Sequence, residues 1–226
     1  MKVASVSGVS AEVIRHSGLS PRERFTKRSF DLICAAAGLL LLGWAIILLA
    51  CFARVSTGGS GVFRQSRIGQ GGTPFEIMKL RTMRVGSDSR CSVTTANDPR
   101  ITRFGRFLRR TKFDELPQLV NVLRGEMSFV GPRPDVPEFV PLEGEQAALI
   151  LSVAPGITGP ATLVFRDEEE LLAAQPDPES YNRRVLVPTK ALINEQYVRR
   201  WRLRSDLRYI ALTLRGATLS VEEAMR

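Results

Sequence analysis

Histidine occurs once in these 226 residues, as His16 in a polar N-terminal stretch. A single ring there argues against a histidine-ligated metal and against histidine acid–base catalysis. Cysteine is almost as scarce. Cys34 and Cys51 lie in an apolar run and Cys91 in a polar one, with no Cys-x-x-Cys pair. That arrangement speaks against a disulfide framework or a zinc site, and for a reducing compartment. Acidic residues are in deficit, 23 Asp and Glu against 32 Lys and Arg, for a net charge of +9. Such an excess suits nucleic acid, an anionic membrane surface or a phosphate-rich substrate, and does not choose among them. The sequence has no internal repeat. Its glycine-rich stretch, Gly69-Gln70-Gly71-Gly72-Thr73-Pro74, has neither dinucleotide nor Walker spacing, so it reads as a link between strands.

What is abundant is apolar sequence in one block. Residues 32–53 carry no charge, about 22 positions, enough helix to cross a bilayer. The run starts too late and is too long for a cleaved signal peptide. A buried helix of a soluble domain is the plain alternative. Arg22, Arg24, Lys27 and Arg28 precede the run, and Arg54, Arg64 and Arg67 follow it. Positive charge on both flanks favours both flanks in the cytoplasm. One straight span cannot satisfy that, whereas a helix that enters, bends and leaves on the same side can. Gly38 and Gly43 are the weak points for a bend. The expected organisation is a flexible tail over 1–21, a re-entrant helix-break-helix over 22–54, a cytoplasmic catalytic domain over 55–216, and a C-terminal tail over 217–226.

The expected fold class is α+β, mostly helical with a small β-hairpin, on a monotopic membrane protein with amphipathic interfacial helices. The hairpin flanks the glycine link, near Val62–Phe63 and Phe75–Met78. Residues 86–99 are polar and turn-rich. Ile101, Phe104, Phe107 and Leu108 make an apolar helical face amid Arg100, Arg103, Arg106, Arg109 and Arg110. The next helix should start near Thr111–Asp114, carry Pro117 in its first turn, bury Leu116, Leu119, Val120 and Leu123, and end at Gly125. Gly131-Pro132-Arg133-Pro134 and Pro155-Gly156-Ile157-Thr158-Gly159 read as rigid turns. An acidic helix over 168–174 precedes two amphipathic helices, 190–201 and 205–214, with Tyr197, Trp201 and Tyr209 as interface anchors.

Asp114 and Glu115 carry the chemistry. At a helix start after five arginines they could simply cap the helix against its dipole. They could also share a magnesium ion, which prefers oxygen ligands and bridges to phosphates, or one of them could attack phosphorus to form an acyl phosphate. Nearby arginines and magnesium should keep Asp114 ionised against partial burial. Arg133, held between two prolines, suits a fixed, forked grip on phosphate; the plain alternative is a salt bridge to Glu126 or Asp135. Lys79 and Arg81 add positive charge after the hairpin, or are a solvated strand end.

Several motifs occur in order. They are Lys27-Arg28-x-Phe30-Asp31, Phe75-x-Ile77-x-Lys79-x-Arg81-Thr82-Met83 and Arg103-x-Gly105-Arg106-Phe107-Leu108-Arg109. Asp114-Glu115-Leu116-Pro117-Gln118-Leu119-x-Asn121-Val122-Leu123-x-Gly125-x-Met127-Ser128, Val130-Gly131-Pro132-Arg133-Pro134 and Pro155-Gly156-Ile157-Thr158-Gly159 follow. Over roughly residues 24–215 the chain resembles the bacterial sugar transferases, monotopic polyprenyl-phosphate phosphoglycosyl transferases. The resemblance implies Asp114 as nucleophile, Glu115 (with Asp114) as the Mg2+ ligands, and Arg109 and Arg133 as phosphate-binding residues; Lys79 and Arg81 join them as expected substrate-binding residues by their charge. The resemblance also implies a uridine diphosphate sugar as the nucleotide-sugar donor, a polyprenyl phosphate acceptor and a role in starting surface polysaccharide or glycan assembly. The place implied is the cytoplasmic face of the bacterial inner membrane, among anionic lipids, with homo-oligomers left open. Three positions depart from the family pattern: Gly43-Trp44 stands where a Ser-Pro pair commonly breaks the helix, Lys112 where serine is frequent, and Pro160-Ala161-Thr162 where many members read Trp-Ala-Gln. With no preceding membrane helices the chain looks like the minimal catalytic unit.

Two other readings compete. A membrane-anchored basic scaffold or lipid-binding protein without catalysis leaves Asp114-Glu115 and the proline-held Arg133 unexplained. A nucleic-acid partner is not expected: the apolar run would be unexplained, and no recognition helix or aromatic-basic interleaving is visible.

Overall fold

Ser20 opens the first helix with a capping box: its side chain accepts from the Glu23 amide while the Glu23 carboxylate accepts from the Ser20 amide. Pro21 sits at the first helical position, where its missing N–H costs nothing. Helix α1 (Pro21–Thr57) ends at Gly58, whose φ of 75° lets it turn the chain as a left-handed cap. The computed structural model describes residues 18–86, 98–134 and 144–226. His16, Cys91, Asp135 and most of the expected 1–21 tail lie outside the described residues, as do 87–97 of the turn-rich stretch. Helical backbone continues through Gly38 and Gly43, so the expected interruption is not seen.

At a mean hydropathy of 2.7 over its most apolar window, α1 is long and apolar enough to cross a membrane. Its middle is bare: Leu40, Trp44 and Ile47 are 84%, 69% and 68% exposed. Both ends, by contrast, are tied down. Near the start, Lys27 Nζ lies 2.7 Å from Asp206 Oδ2, and Arg28 donates to the carbonyls of Val122 and Leu123 at 2.6 and 2.9 Å. Asp31 accepts from the Phe129 amide at 3.1 Å. Near the end, Ser56 Oγ and Thr102 Oγ1 are 2.9 Å apart, and the Thr57 carbonyl accepts from the Val85 amide at 3.2 Å.

Strands β1 (Val62–Ile68) and β2 (Pro74–Leu80) form the expected antiparallel hairpin, with Val62 opposite Leu80 and Ile68 opposite Pro74. Gly71 and Gly72 have φ of 67° and 76° in the link, which only glycine adopts without strain. Helix α2 (Arg103–Thr111) is capped by Thr102, whose Oγ1 accepts from the Gly105 amide. Lys112 closes it in a left-handed conformation. A 3-10 turn, Phe113–Glu115, follows before α3 (Gln118–Arg124). The helix expected to start near Asp114 thus begins after Pro117, whose ring nitrogen cannot donate back to the preceding turn. Its buried face also differs from the expected one. Gln118, Leu119, Asn121 and Val122 are buried and Leu123 is 40% exposed, because α1 and β2 pack on that side.

Strand β3 (Ser128–Val130) pairs in parallel with β4 (Gly156–Thr158), which takes the place of the turn expected there. Helix α4 (Glu145–Ile150) lies between them in sequence. Five more helices follow: α5 (Pro160–Val164), α6 (Glu168–Ala173), α7 (Pro178–Tyr181), α8 (Val187–Arg199) and α9 (Leu203–Arg215). Residues 217–226 carry α10 (Val221–Met225), with Leu219 and Ala224 buried. Tyr197 and Trp201 are core residues rather than interface anchors. Their polar tips bond Asp206 at 2.9 and 3.0 Å, so burial leaves neither unpaired. Tyr209 stacks edge-on against Tyr197 at the margin of that core.

Candidate active site

Three pieces of chain meet beside α3: the end of β2, the 3-10 turn and the turn after β3. Asn121 of α3 fixes the first to that helix. Its Oδ1 accepts from the Met78 amide at 3.0 Å, and its Nδ2 donates to the Glu76 carbonyl at 2.8 Å and to Glu126 Oε2 at 2.6 Å. Lys79 is thereby presented to Glu115. The third piece is held by the β3–β4 pair, with the Gly131 amide on the Thr158 carbonyl and the Gly156 amide on the Pro132 carbonyl. Arg133 follows from that anchored turn.

Glu115 Oε1 takes both cations, Lys79 Nζ at 3.3 Å and Arg133 Nη2 at 2.7 Å. Among the described residues Arg133 thus pairs with Glu115; Glu126 is bonded to Asn121, and Asp135 is outside the described residues. Burial alone would raise the Glu115 carboxyl, but Arg133, Lys79 and Lys112 together hold it far below the usual carboxylate range. The Lys79 ammonium is lowered, by burial first, against the pull of Glu115.

Asp114 behaves in the opposite way. It is 8% exposed, and its Oδ1 is buried with no hydrogen-bond partner. Burial first, and the Glu115 charge second, push its carboxyl up against Lys79, Lys112 and Arg109. Among the protein's own groups burial thus outweighs the nearby cations, while the expectation of an ionised Asp114 also counted magnesium, which lies outside this balance. Lys79 and Arg133 are committed to Glu115, and Arg109 donates instead to Thr82 Oγ1 at 3.1 Å and Glu169 Oε1 at 3.3 Å. Two adjacent carboxyls driven apart in this way are suited to different roles in a reaction. Glu115 is fixed and charged; Asp114 has an oxygen to use. Among the described residues no cluster of three or more His, Cys, Asp or Glu side chains is placed to hold a metal. The model for bacterial sugar transferases matches residues 22–219, which contain all of these residues.

The chain belongs to the bacterial sugar transferase family.

It is 34% identical over 222 residues to the UDP-glucose:undecaprenyl-phosphate glucose-1-phosphate transferase of Escherichia coli K12, covering 94% of this chain and 44% of that one. It is 36% identical over 210 residues to the exopolysaccharide production protein ExoY of Rhizobium meliloti, covering 86% of each. A putative undecaprenyl-phosphate N-acetylgalactosaminyl 1-phosphate transferase of Bacillus subtilis is 43% identical over 114 residues, half of this chain and 64% of that one. The chain thus spans less than half of the first relative and most of ExoY.

Within this sugar transferase, the structure brings Asp114, Glu115, Lys79 and Arg133 together and sets Arg109 at the edge. Arg81 is elsewhere: its Nε donates to the Ser60 carbonyl at 2.8 Å and its guanidinium lies over the Phe63 ring. Sequence reasoning missed Gln118, fully buried four residues after Asp114 with an unpartnered Nε2. A polar residue on the inward face of α3 was the available signal. It counted Lys27 and Arg28 among the positive charges that precede the apolar run, and the structure pairs both inside the molecule.

Proposed function

We propose that this sugar transferase moves a sugar-1-phosphate from a uridine diphosphate sugar onto undecaprenyl phosphate, an initiating step of surface polysaccharide synthesis. The observation that carries this reading is the split acidic pair: a buried, unpartnered Asp114 oxygen beside a Glu115 locked by two cations. In the first step Asp114 attacks the sugar-side phosphorus of the donor. The bond from that phosphorus to the bridging oxygen breaks, and the nucleoside monophosphate leaves with the electron pair. In the second step an oxygen of the polyprenyl phosphate attacks the same phosphorus and releases the Asp114 carboxylate. Arg133, Lys79 and Lys112 supply fixed positive charge where charge develops on the transferred phosphoryl group. Asp114 and Glu115 offer oxygen ligands of the kind magnesium takes together with substrate phosphates, and the orphaned Asp114 Oδ1 fits that use. Magnesium bound there would neutralise the diphosphate and polarise its oxygens.

The membrane element is re-entrant in this reading, with the catalytic domain on the cytoplasmic face. Support comes from the contacts at both ends of α1, which fasten Lys27 and Ser56 to the same domain while the apolar middle stays bare. A spanning helix would carry one of those ends away from it. The protein in detergent with magnesium should release a nucleoside monophosphate from at least one uridine diphosphate sugar and transfer the phosphosugar to undecaprenyl phosphate. A basic lipid-binding scaffold predicts no release from any of them.

A further inference from the structure

Four phenylalanines form a ladder between the membrane helix and the acidic pair. Phe52 of α1 lies 6.1 Å from Phe104 of α2, Phe104 stacks on Phe107 at 6.2 Å, and Phe107 meets Phe113 edge-on at 6.2 Å. Phe113 immediately precedes Asp114. Ring-to-ring contact explains how the side chains hold each other, but not why so much of them faces outward. Phe52 is 54% exposed, Phe107 43% and Phe113 42%. Leu108, one turn after Phe104 on the same apolar side of α2, is 0% exposed, so that face is core along one edge while Phe107 on its other edge faces outward. A contiguous run of large exposed apolar groups marks a surface that meets something apolar.

We infer that the ladder is the track on which the isoprenoid chain of the polyprenyl phosphate acceptor lies while its phosphate faces Asp114. The inference rests on the phosphoglycosyl transfer reading and adds where the acceptor binds. Its physical content is a problem of continuity. The acceptor has a long hydrocarbon tail in the bilayer and a phosphate that must reach a carboxylate set in a polar site. Each part of the tail drawn out of lipid needs apolar contact or loses burial at about 25 cal/mol per Å². The ladder begins within the uncharged stretch of α1 and ends one residue from Asp114, so it spans that gap. Bulk phospholipid alone would not require a ring beside the reacting carboxylate. Arg103, Arg106 and Arg110 are exposed on the same helix, and the Lys112 charge is felt at both carboxyls. These cations suit the acceptor's phosphate.

The test is photolabelling of the full chain in phosphatidylethanolamine–phosphatidylglycerol nanodiscs. The probe is a polyprenyl phosphate with a diazirine in its isoprenoid chain. Adducts should map to Phe52 and residues 104–113, and excess undecaprenyl phosphate should suppress them while extra phosphatidylglycerol should not. The double substitution Phe104→Ser and Phe107→Ser, checked for an intact melting transition, should raise the KM for undecaprenyl phosphate about tenfold, as losing about 1.4 kcal/mol of contact would. It should change the KM for a short-chain prenyl phosphate much less. Adducts elsewhere, equal suppression by phosphatidylglycerol, or a KM change independent of chain length would overturn the inference. Wild-type protein that transfers phosphosugar with adducts elsewhere defeats the ladder alone; wild-type protein with no transfer defeats the transfer reading and the ladder with it.

Discussion

Lys112 shows how a single residue can be placed against its own preference. Among the described residues it is the only non-glycine with a positive φ, at 60°. A side chain in that region costs about 1–2 kcal/mol, and glycine is the usual occupant of a helix end of this kind. The position is two residues before Asp114, and its charge acts on both carboxyls. Strain kept at such a place argues for a use of the ammonium group. Lys112→Gly should relieve the strain but add freedom to the unfolded chain, leaving stability equal or up to about 1 kcal/mol higher. Turnover should fall clearly. Thermal melting and steady-state assays on the same preparation check this; a less stable variant with full turnover would show that the lysine has no such role. Asp114, Glu115, Lys79 and Arg133 were legible as a set because charge type and proline framing are local properties. The positive φ of Lys112 was not, since its residue type argues against it. The bond of Arg81 to the Ser60 carbonyl was not legible either, because strand position alone does not say which backbone carbonyl a long side chain will reach.

At the scale of elements, α1 is the piece that organises the rest. Lys27 and Asp206 are 179 positions apart, and both are buried, with Trp201 and Tyr197 completing the network around the carboxylate. Removing one partner of a buried pair strands the other, at about 3–5 kcal/mol. Lys27→Met should therefore lower the melting temperature by roughly 6–20 °C in a chain of this size, and adding Asp206→Asn should restore part of it. An unchanged melting temperature in Lys27→Met would mean the pair is not a fastening of α1. The hairpin was legible from strand residues on both sides of a glycine link, and α2 from its apolar spacing. The β3–β4 pair was not, because two three-residue strands among prolines and glycines carry no period to read. The burial of Tyr197 and Trp201 was equally hidden: their polar tips are satisfied by Asp206, whose own counter-ion comes from the other end of the chain.

For the molecule as a whole, both ends of the apolar helix return to one domain, and the candidate site lies on that domain. A cysteine-free background with single cysteines at Ser20 and Ser60, one on each side of α1, should react only with reagents that reach the cytoplasm. Labelling of either position from the periplasmic side of intact spheroplasts would rule out the re-entrant arrangement. The central claim is that Asp114, and not Glu115, carries the phosphosugar. Intact-protein mass spectrometry after incubation with donor and magnesium, without any lipid acceptor, tests it most directly. The account predicts about one nucleoside monophosphate released per active site, a mass gain of one phosphosugar mapping to Asp114, loss of both signals in Asp114→Asn, and a slowed but correctly placed adduct in Glu115→Gln. An adduct on any other residue, or no nucleotide release until polyprenyl phosphate is added, would contradict it.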